Sequence, residues 1–178
     1  MVDTFKQCLW KNFGASMDML RDAIALCPVE VWYSEKKFFY MAYHTLIFLD
    51  YYLTIPVAGF APALPYTITN TDKLPAEAID DVIPDRVYSR QEMLAYLADI
   101  RQKGKKLITE ATEKRLNGRW INAEEIDLHG LCPSLVTEYT VLEILFYNLR
   151  HVQHHVAQLN LLLRQNISRA PDWISQAE

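Results

Sequence analysis

Apolar residues recur at helical spacing in long segments of the chain and predict a mainly helical protein. The first segment runs from about Asp3 to Leu26. It ends before Pro28, because the residue that precedes a proline is pushed out of the helical region. The second segment spans roughly Glu35 to Thr54, and its part 38–53 is almost entirely apolar or aromatic. We therefore expect a second helix that is buried nearly all round.

Two capping signals mark the start of two further helices. The residues Ser-x-x-Glu at 89–92 and Thr-x-x-Glu at 140–143 have the pattern of a capping box, in which two side chains satisfy free backbone donors at a helix start. The third helix is predicted over 89–116. The fourth is predicted to begin within 137–140 and to run to about Asn166. No strand is predicted in the chain.

The connection 55–88 separates the second helix from the third and holds five of the eight prolines of the chain. A proline in a helix interior costs about 3 kcal/mol, so this segment is not helical. A connection of this length without secondary structure is uncommon in a compact domain, unless it crosses along the fold. We therefore predict an all-α four-helix bundle with a long crossover between helices 2 and 3 and an up-down-down-up topology. No sheet is expected in the segment 63–71.

Composition narrows the class of protein. The 178 residues are 51% hydrophobic and 22% charged, which suffices to bury one core, and we predict a single domain over 1–178. A net charge of −4 leaves no basic surface for a phosphate backbone, so nucleic acid is not an expected partner. The second helix is shorter than the roughly 20 apolar residues of a membrane span, and no signal-peptide core is evident. The expectation is a cytoplasmic protein without a membrane partner.

The cysteines do not suggest a disulfide framework. Cys8, Cys27 and Cys132 are an odd number of cysteines and form no C-x-x-C pair. We expect reduced thiols that act as small buried hydrophobic residues. The connection 117–136, which also contains His129, is expected to be a surface loop.

Three of the five histidines fall within residues 151–155, on the predicted fourth helix. Because a helix turns about 100° per residue, His151 and His155 lie about 40° apart, where both side chains can reach one ion. The phase of the apolar residues places His155 and Asn148 on the buried face and His151 at its edge, whereas His154 falls outside it. A buried imidazole needs a partner, because burying an unpaired polar group costs about 1 to 3 kcal/mol.

A third candidate ligand, His44, lies on the second helix, and two interpretations of it stay open. In the first, His44 is a neutral core residue that bonds a carbonyl or the hydroxyl of Tyr40 or Tyr43, and the fourth-helix pair is bonded to water. In the second, the three histidines bind one divalent metal and leave coordination positions free for water or substrate. Imidazole ligands suit zinc, nickel, iron or copper.

The motif residues resemble those of a known family. A lone histidine in helix 2 and an H-x-x-x-H pair in helix 4 are typical of the DinB-like, YfiT-like superfamily of metal-binding four-helix bundles. Here these positions are His44 in FFYMAYHTLIFLD, and His151 and His155 in LRHVQHHVAQL. Ala157 replaces the glycine that often follows the pair in the family, and Gln158 keeps the glutamine. The resemblance implies His44, His151 and His155 as metal ligands. It also makes Asn148 and Gln158 candidates for orienting the ligands or the substrate.

The resemblance further implies a function. Characterised members are metal-dependent transferases or isomerases that use a low-molecular-weight thiol, and others are described as metal-dependent hydrolases. We therefore expect an enzyme that binds zinc or nickel and activates a thiol or water against a small-molecule substrate; its catalytic residues stay unassigned. The alternative is a non-catalytic helical bundle, in the form of a homodimer, that acts as an interaction module. Its metal is absent or is closed off by a fourth protein ligand such as His154 or Asp50.

Overall fold

The computed structural model describes residues 2–178, and most of them are helical. The described part contains six α-helices and one two-stranded sheet. The helices are α1 (Val2–Leu26), α2 (Val29–Ser34), α3 (Lys36–Leu53), α4 (Arg90–Glu110), α5 (Glu113–Leu116) and α6 (Val141–Ile167). The strands are β1 (Tyr66–Ile68) and β2 (Val82–Pro84), which pair antiparallel. The expectation of a mainly helical protein is confirmed.

Both predicted capping boxes are present. The Ser89 hydroxyl accepts a hydrogen bond from the Glu92 backbone N–H at the start of α4, and Glu92 accepts one from the Ser89 backbone in return. Thr140 and Glu143 make the same reciprocal pair at the start of α6. Side chains that accept hydrogen bonds from the free backbone donors thus fix both helix starts, each within one residue of the predicted position.

The structure adds one short helix to those predicted and divides another. The short helix α2 precedes α3 and was not predicted, and the predicted third helix breaks after Glu110 into α4 and α5. Thr112 causes a new start there, because its hydroxyl accepts a hydrogen bond from the Arg115 backbone N–H and caps α5. The prediction of one unbroken helix over 89–116 is therefore wrong.

The prediction of a strand-free connection is also wrong. Residues 66–68 and 82–84 pair with each other, so the segment 63–71, where no sheet was expected, supplies one of the two strands. The sheet stays within the connection, since its two strands pair only with each other. Each strand has three residues, which is too short for alternating apolar and polar positions to be recognised in the sequence.

The four longest helices pack against one another, and residues of the connections complete the core. Helix α1 packs against α4 and α6, and α3 packs against the same two helices. A buried polar group joins α3 to α4: the Asp50 carboxylate accepts hydrogen bonds from the Tyr96 hydroxyl and the Lys103 ammonium, both at 2.6 Å. Within residues 2–178, no helix has the length and apolar character that a membrane crossing requires.

The C-terminal segment after α6 returns along α1. The backbone N–H of Ala177 donates to the Lys11 carbonyl at 2.9 Å, and the Trp10 indole donates to the Glu178 carbonyl at 3.2 Å. Ala177 is buried directly over Gly14, where a Cβ on residue 14 would lie 2.6 Å from the Ala177 Cβ. Glycine at position 14 therefore allows this close approach.

Candidate metal centre

Three histidines meet between α3 and α6. His44 lies in the middle of α3, and His151 and His155 lie one turn apart on α6. His44 and His155 are buried, and His151 is half-buried. One ligand atom from each lies within 4.8 Å of the other two, which is close enough to hold a metal ion. The sequence prediction that these three side chains come together is thus confirmed at this level.

The three rings approach through the same atom type. His151 Nε2 lies 3.0 Å from His44 Nε2 and 3.1 Å from His155 Nε2. Two nitrogen ligands of a tetrahedral zinc ion, each about 2.05 Å from the metal, lie about 3.3 Å apart. The separations in this structure are therefore slightly shorter than those of a bound site, and small outward shifts of the rings reach the bound geometry.

The opposite ring nitrogens of two histidines face acceptors. His155 Nδ1 lies 2.8 Å from the side-chain oxygen of Gln158, and His44 Nδ1 lies 2.9 Å from the Asp80 carboxylate. The Asp80 contact is close but its angle departs from that of a hydrogen bond. A proton held on Nδ1 leaves the Nε2 lone pair free, which is the form that a metal ligand requires.

Burial keeps the fourth-helix histidines neutral. Burial is the main cause that lowers the pKa of His151 to about 2 and that of His155 to about 4, and the neighbouring His44 lowers both further. The Gln158 hydrogen bond opposes part of the shift at His155. Because metals bind the neutral imidazole, both side chains hold the required form throughout the neutral pH range.

The other histidines and Asp50 take no part in the cluster. His154 is exposed on the outer face of α6, as its phase predicts. His129 lies on a distant loop, where its Nε2 lies 3.1 Å from the Val57 carbonyl and its ring packs against Phe60. Asp50 bonds Lys103 and Tyr96. Within residues 2–178, the group of side chains able to bind a metal contains the three histidines alone.

Asn148 has a different environment from Gln158. Its amide is fully buried, and its nitrogen donates to the Leu49 carbonyl of α3 at 3.0 Å. Its oxygen has no hydrogen-bond partner among the described residues. Asn148 thus joins α6 to α3 one turn before His151, whereas Gln158 contacts a histidine of the cluster directly. Tyr43 does not bond His44 as one interpretation proposed, because its hydroxyl donates to the Pro65 carbonyl.

Asp80 was not predicted from the sequence. It belongs to the connection between α3 and α4, two residues before β2, and its other carboxylate oxygen accepts from the Val82 backbone N–H at 3.1 Å. This bond holds the carboxylate beside His44. An aspartate in a polar connection has no signal that distinguishes it from Asp81 or Asp85, so only the path of the connection reveals its position.

The connection 117–136 lies partly at the surface and partly in the core. Trp120 is 1% exposed, and its indole donates to the Val136 carbonyl at 2.7 Å.

The three cysteines differ in burial. Cys132 is half-buried, and its thiol lies beside the Tyr51 hydroxyl. All three cysteines are free, as expected, but Cys8 is exposed and not buried. Burial raises the pKa of the Cys27 thiol to about 11, so Cys27 is unreactive at neutral pH.

Comparison with known proteins gives no relative. No family model, no curated protein and no solved structure matches this chain.

Proposed function

We propose that this chain is a metal-dependent enzyme of the DinB-like type, in which His44, His151 and His155 bind one divalent ion. The ion is zinc or nickel, and it activates a low-molecular-weight thiol or water against a small electrophilic substrate. The observation that carries the proposal is the approach of three Nε2 atoms at 3.0 and 3.1 Å, backed by acceptors at two of the opposite nitrogens.

The acceptors beside the rings favour a metal over a purely structural histidine cluster. In a cluster without a metal, the three Nε2 atoms face one another, and there are too few N–H donors to give each facing lone pair a hydrogen bond. Such a cluster therefore leaves buried polar atoms unpaired, which is unfavourable. The hydrogen bond to Gln158 draws the ring proton of His155 to the outer side, and the negative charge of Asp80 beside His44 Nδ1 favours a proton there, so both Nε2 lone pairs turn inward. A lone pair that points to a common centre is satisfied by a cation.

Contacts between the helices support the finer fold proposal. Lys6, near the start of α1, bonds the Thr109 carbonyl near the end of α4, so these two helices run in opposite directions. Asn148 precedes His151 along α6, but it bonds Leu49, which follows the His44 contact along α3. Helices α3 and α6 therefore also run in opposite directions.

Helices α3 and α4 run in the same direction by the same reasoning. The indole of Trp32, just before α3, bonds the Tyr88 carbonyl just before α4. Further along both helices, Lys103 contacts Asp50 and Thr54 near the end of α3. These contacts support the proposed up-down-down-up four-helix bundle, in which the connection 54–89 crosses along the molecule.

The proposed chemistry follows from charge. A divalent ion with three neutral ligands keeps its full +2 charge, which lowers the pKa of a bound water or thiol and favours an anionic partner. The protein contributes two things: burial that keeps His151 and His155 neutral at physiological pH, and rings fixed by packing between α3 and α6. The Phe48 ring packs at a tilt against His44 and edge-on against His151, which helps to hold both rings in place.

The second candidate is a non-catalytic bundle, as a homodimer, whose metal is structural or absent. The observation that favours it is that the three rings already contact each other at hydrogen-bonding distance. The two candidates differ in the openness of the metal. An enzyme leaves a coordination position that exchanges with added ligands, whereas a structural site does not.

Calorimetry with thiols tests the proposal. Cysteine, glutathione and sugar-linked bacterial thiols are titrated into metal-loaded and metal-stripped protein, in buffers of different ionisation enthalpy. We expect binding of one thiol that requires the metal, releases about one proton and weakens as the pH falls, because the thiol binds as its thiolate. If no thiol binds but azide or cyanide does, the metal has an exchangeable position, and the hydrolase form of the proposal, with water as the nucleophile, replaces the thiol form. If none binds, the non-catalytic candidate replaces the enzyme.

A further inference from the structure

A separate cavity lies on the other side of α6, between α1, α6 and the returning C-terminal segment. Its volume is about 310 Å³, and its walls come from all three parts of the chain. Ser16 and Met19 line it from α1, Val156, Asn160 and Arg164 from α6, and Trp173 from the C-terminal segment. None of the histidines of the metal centre lines it. A cavity of this size is in the range of small-molecule sites.

Asn160 supplies an unsatisfied polar group at this cavity. Asn160 is only 9% exposed, and its amide oxygen is closed to solvent yet has no hydrogen-bond partner among residues 2–178. Leaving a buried amide unpaired is unfavourable, so its presence needs an explanation. Because the oxygen is closed to solvent, the amide nitrogen is the atom that can donate to a ligand, and a half-turn of the terminal torsion exchanges the two atoms and presents the oxygen as an acceptor instead.

Arg164 gives the cavity a charge. It lies one helical turn after Asn160, is exposed, and forms no ion pair with a described carboxylate. No aspartate or glutamate lines the cavity. A free guanidinium without acidic neighbours favours an anion, and its planar donors fit a carboxylate in particular.

Trp173 gives the cavity a flat apolar surface. Its side chain is 71% exposed, whereas the three other tryptophans, Trp10, Trp32 and Trp120, are between 1% and 5% exposed. An indole ring that stays in water beside a cavity offers a surface on which an aromatic ring can stack. Met19 and Val156 complete the apolar part of the wall.

We infer that this cavity binds a small aromatic carboxylate that carries a second hydrogen-bonding group. The carboxylate pairs with Arg164, the ring stacks on Trp173, and the second group bonds the Asn160 amide. Residues 160 and 164 are about 6 Å apart along the helix axis, a span that a para-substituted benzene ring matches. The inference is independent of the metal centre, because no ligand of the metal takes part in it.

The test uses 4-hydroxybenzoate as the probe and the full chain. Calorimetry should show one site per chain, and Trp173 fluorescence should change on binding. The neutral analogue 4-hydroxybenzamide should bind at least tenfold more weakly. Arg164→Gln and Asn160→Leu should each weaken 4-hydroxybenzoate at least tenfold, and the control Arg169→Gln, at an exposed arginine outside the cavity, should bind like the wild type. Asn160→Leu should melt no lower than the wild type, because it removes an unpaired amide.

Three outcomes would overturn the inference. The first is no binding of 4-hydroxybenzoate at millimolar concentration. The second is equal binding of the acid and the amide, which needs no folded variant and excludes a role of the Arg164 charge. The third is binding that disappears when a chelator removes the metal, because the carboxylate then binds the metal centre. Binding that persists in metal-stripped protein supports the cavity whether or not the proposed enzyme function is right.

Discussion

The stability of metal-stripped protein should fall as the pH is lowered from 7.5 to 5. The cause is the burial of His151 and His155, which lowers the pKa of the first to about 2 and of the second to about 4. In the unfolded chain both side chains return to a pKa of about 6.5. Above pH 6.5 the two histidines are neutral in both the folded and the unfolded state, so they add no pH dependence to the stability.

Between pH 6.5 and pH 4 only the unfolded chain binds the protons, so each step toward acid favours unfolding. A pH of 5 lies about 1.5 pH units below the pKa of a histidine in the unfolded chain. One pH unit corresponds to about 1.4 kcal/mol, so each histidine lowers the free energy of unfolding by about 2 kcal/mol. The two together contribute about 4 kcal/mol. This is a large part of the roughly 5 to 15 kcal/mol by which a domain of this kind is stable.

Urea denaturation at pH 7.5, 6 and 5, followed by circular dichroism in the presence of a chelator, measures this loss. The matched control is a His151→Gln, His155→Gln double variant, which removes both titrating groups and keeps polar side chains of similar size. The variant should lose less than half as much stability over the same range. A wild-type protein whose unfolding free energy is unchanged between pH 7.5 and pH 5 would show that the two histidines are not buried as described.

Two further predictions concern the neighbours of the cluster. Asp80→Ala should weaken metal binding by about 10- to 100-fold, because His44 loses the carboxylate beside its outer nitrogen. The control Asp72→Ala, in an exposed part of the same connection, should bind metal like the wild type. Competition with a metal-binding dye measures the affinity of both variants. Asn148→Ala should lower the free energy of unfolding by about 1 kcal/mol, because the hydrogen bond that joins α6 to the Leu49 carbonyl of α3 is lost, but should leave the metal content unchanged. A loss of metal in Asn148→Ala without a loss of stability would assign Asn148 to the metal site.

The parts of the structure that could be predicted from the sequence depend on short-range physics. The capping boxes at 89–92 and 140–143 act between residues three apart, and the i, i+4 spacing of His151 and His155 follows from helix geometry. The pairing of these histidines with His44 needed more than spacing. It came from the buried character of both helices together with the resemblance to a known motif.

The parts that were missed depend on contacts between distant segments. Asp80 contacts His44 only because the connection after α3 folds back over that helix. The sheet of residues 66–68 and 82–84 has strands too short to show a pattern of apolar and polar positions. It forms through pairing between two segments that are distant in the sequence. The break at Thr112 could have been predicted, because threonine is a common residue at the start of a helix. The helical spacing of apolar residues on both sides concealed it.

The most direct test of the central claim is the metal content of purified protein and of five single alanine variants. Inductively coupled plasma mass spectrometry should find about one zinc or nickel ion per wild-type chain. It should find almost none in the variants at His44, His151 and His155, and the wild-type amount in those at His154 and His129. Circular dichroism must show that all five variants are folded. Full metal in folded His44→Ala, or loss of metal in His154→Ala, would contradict the assignment of one metal centre between α3 and α6.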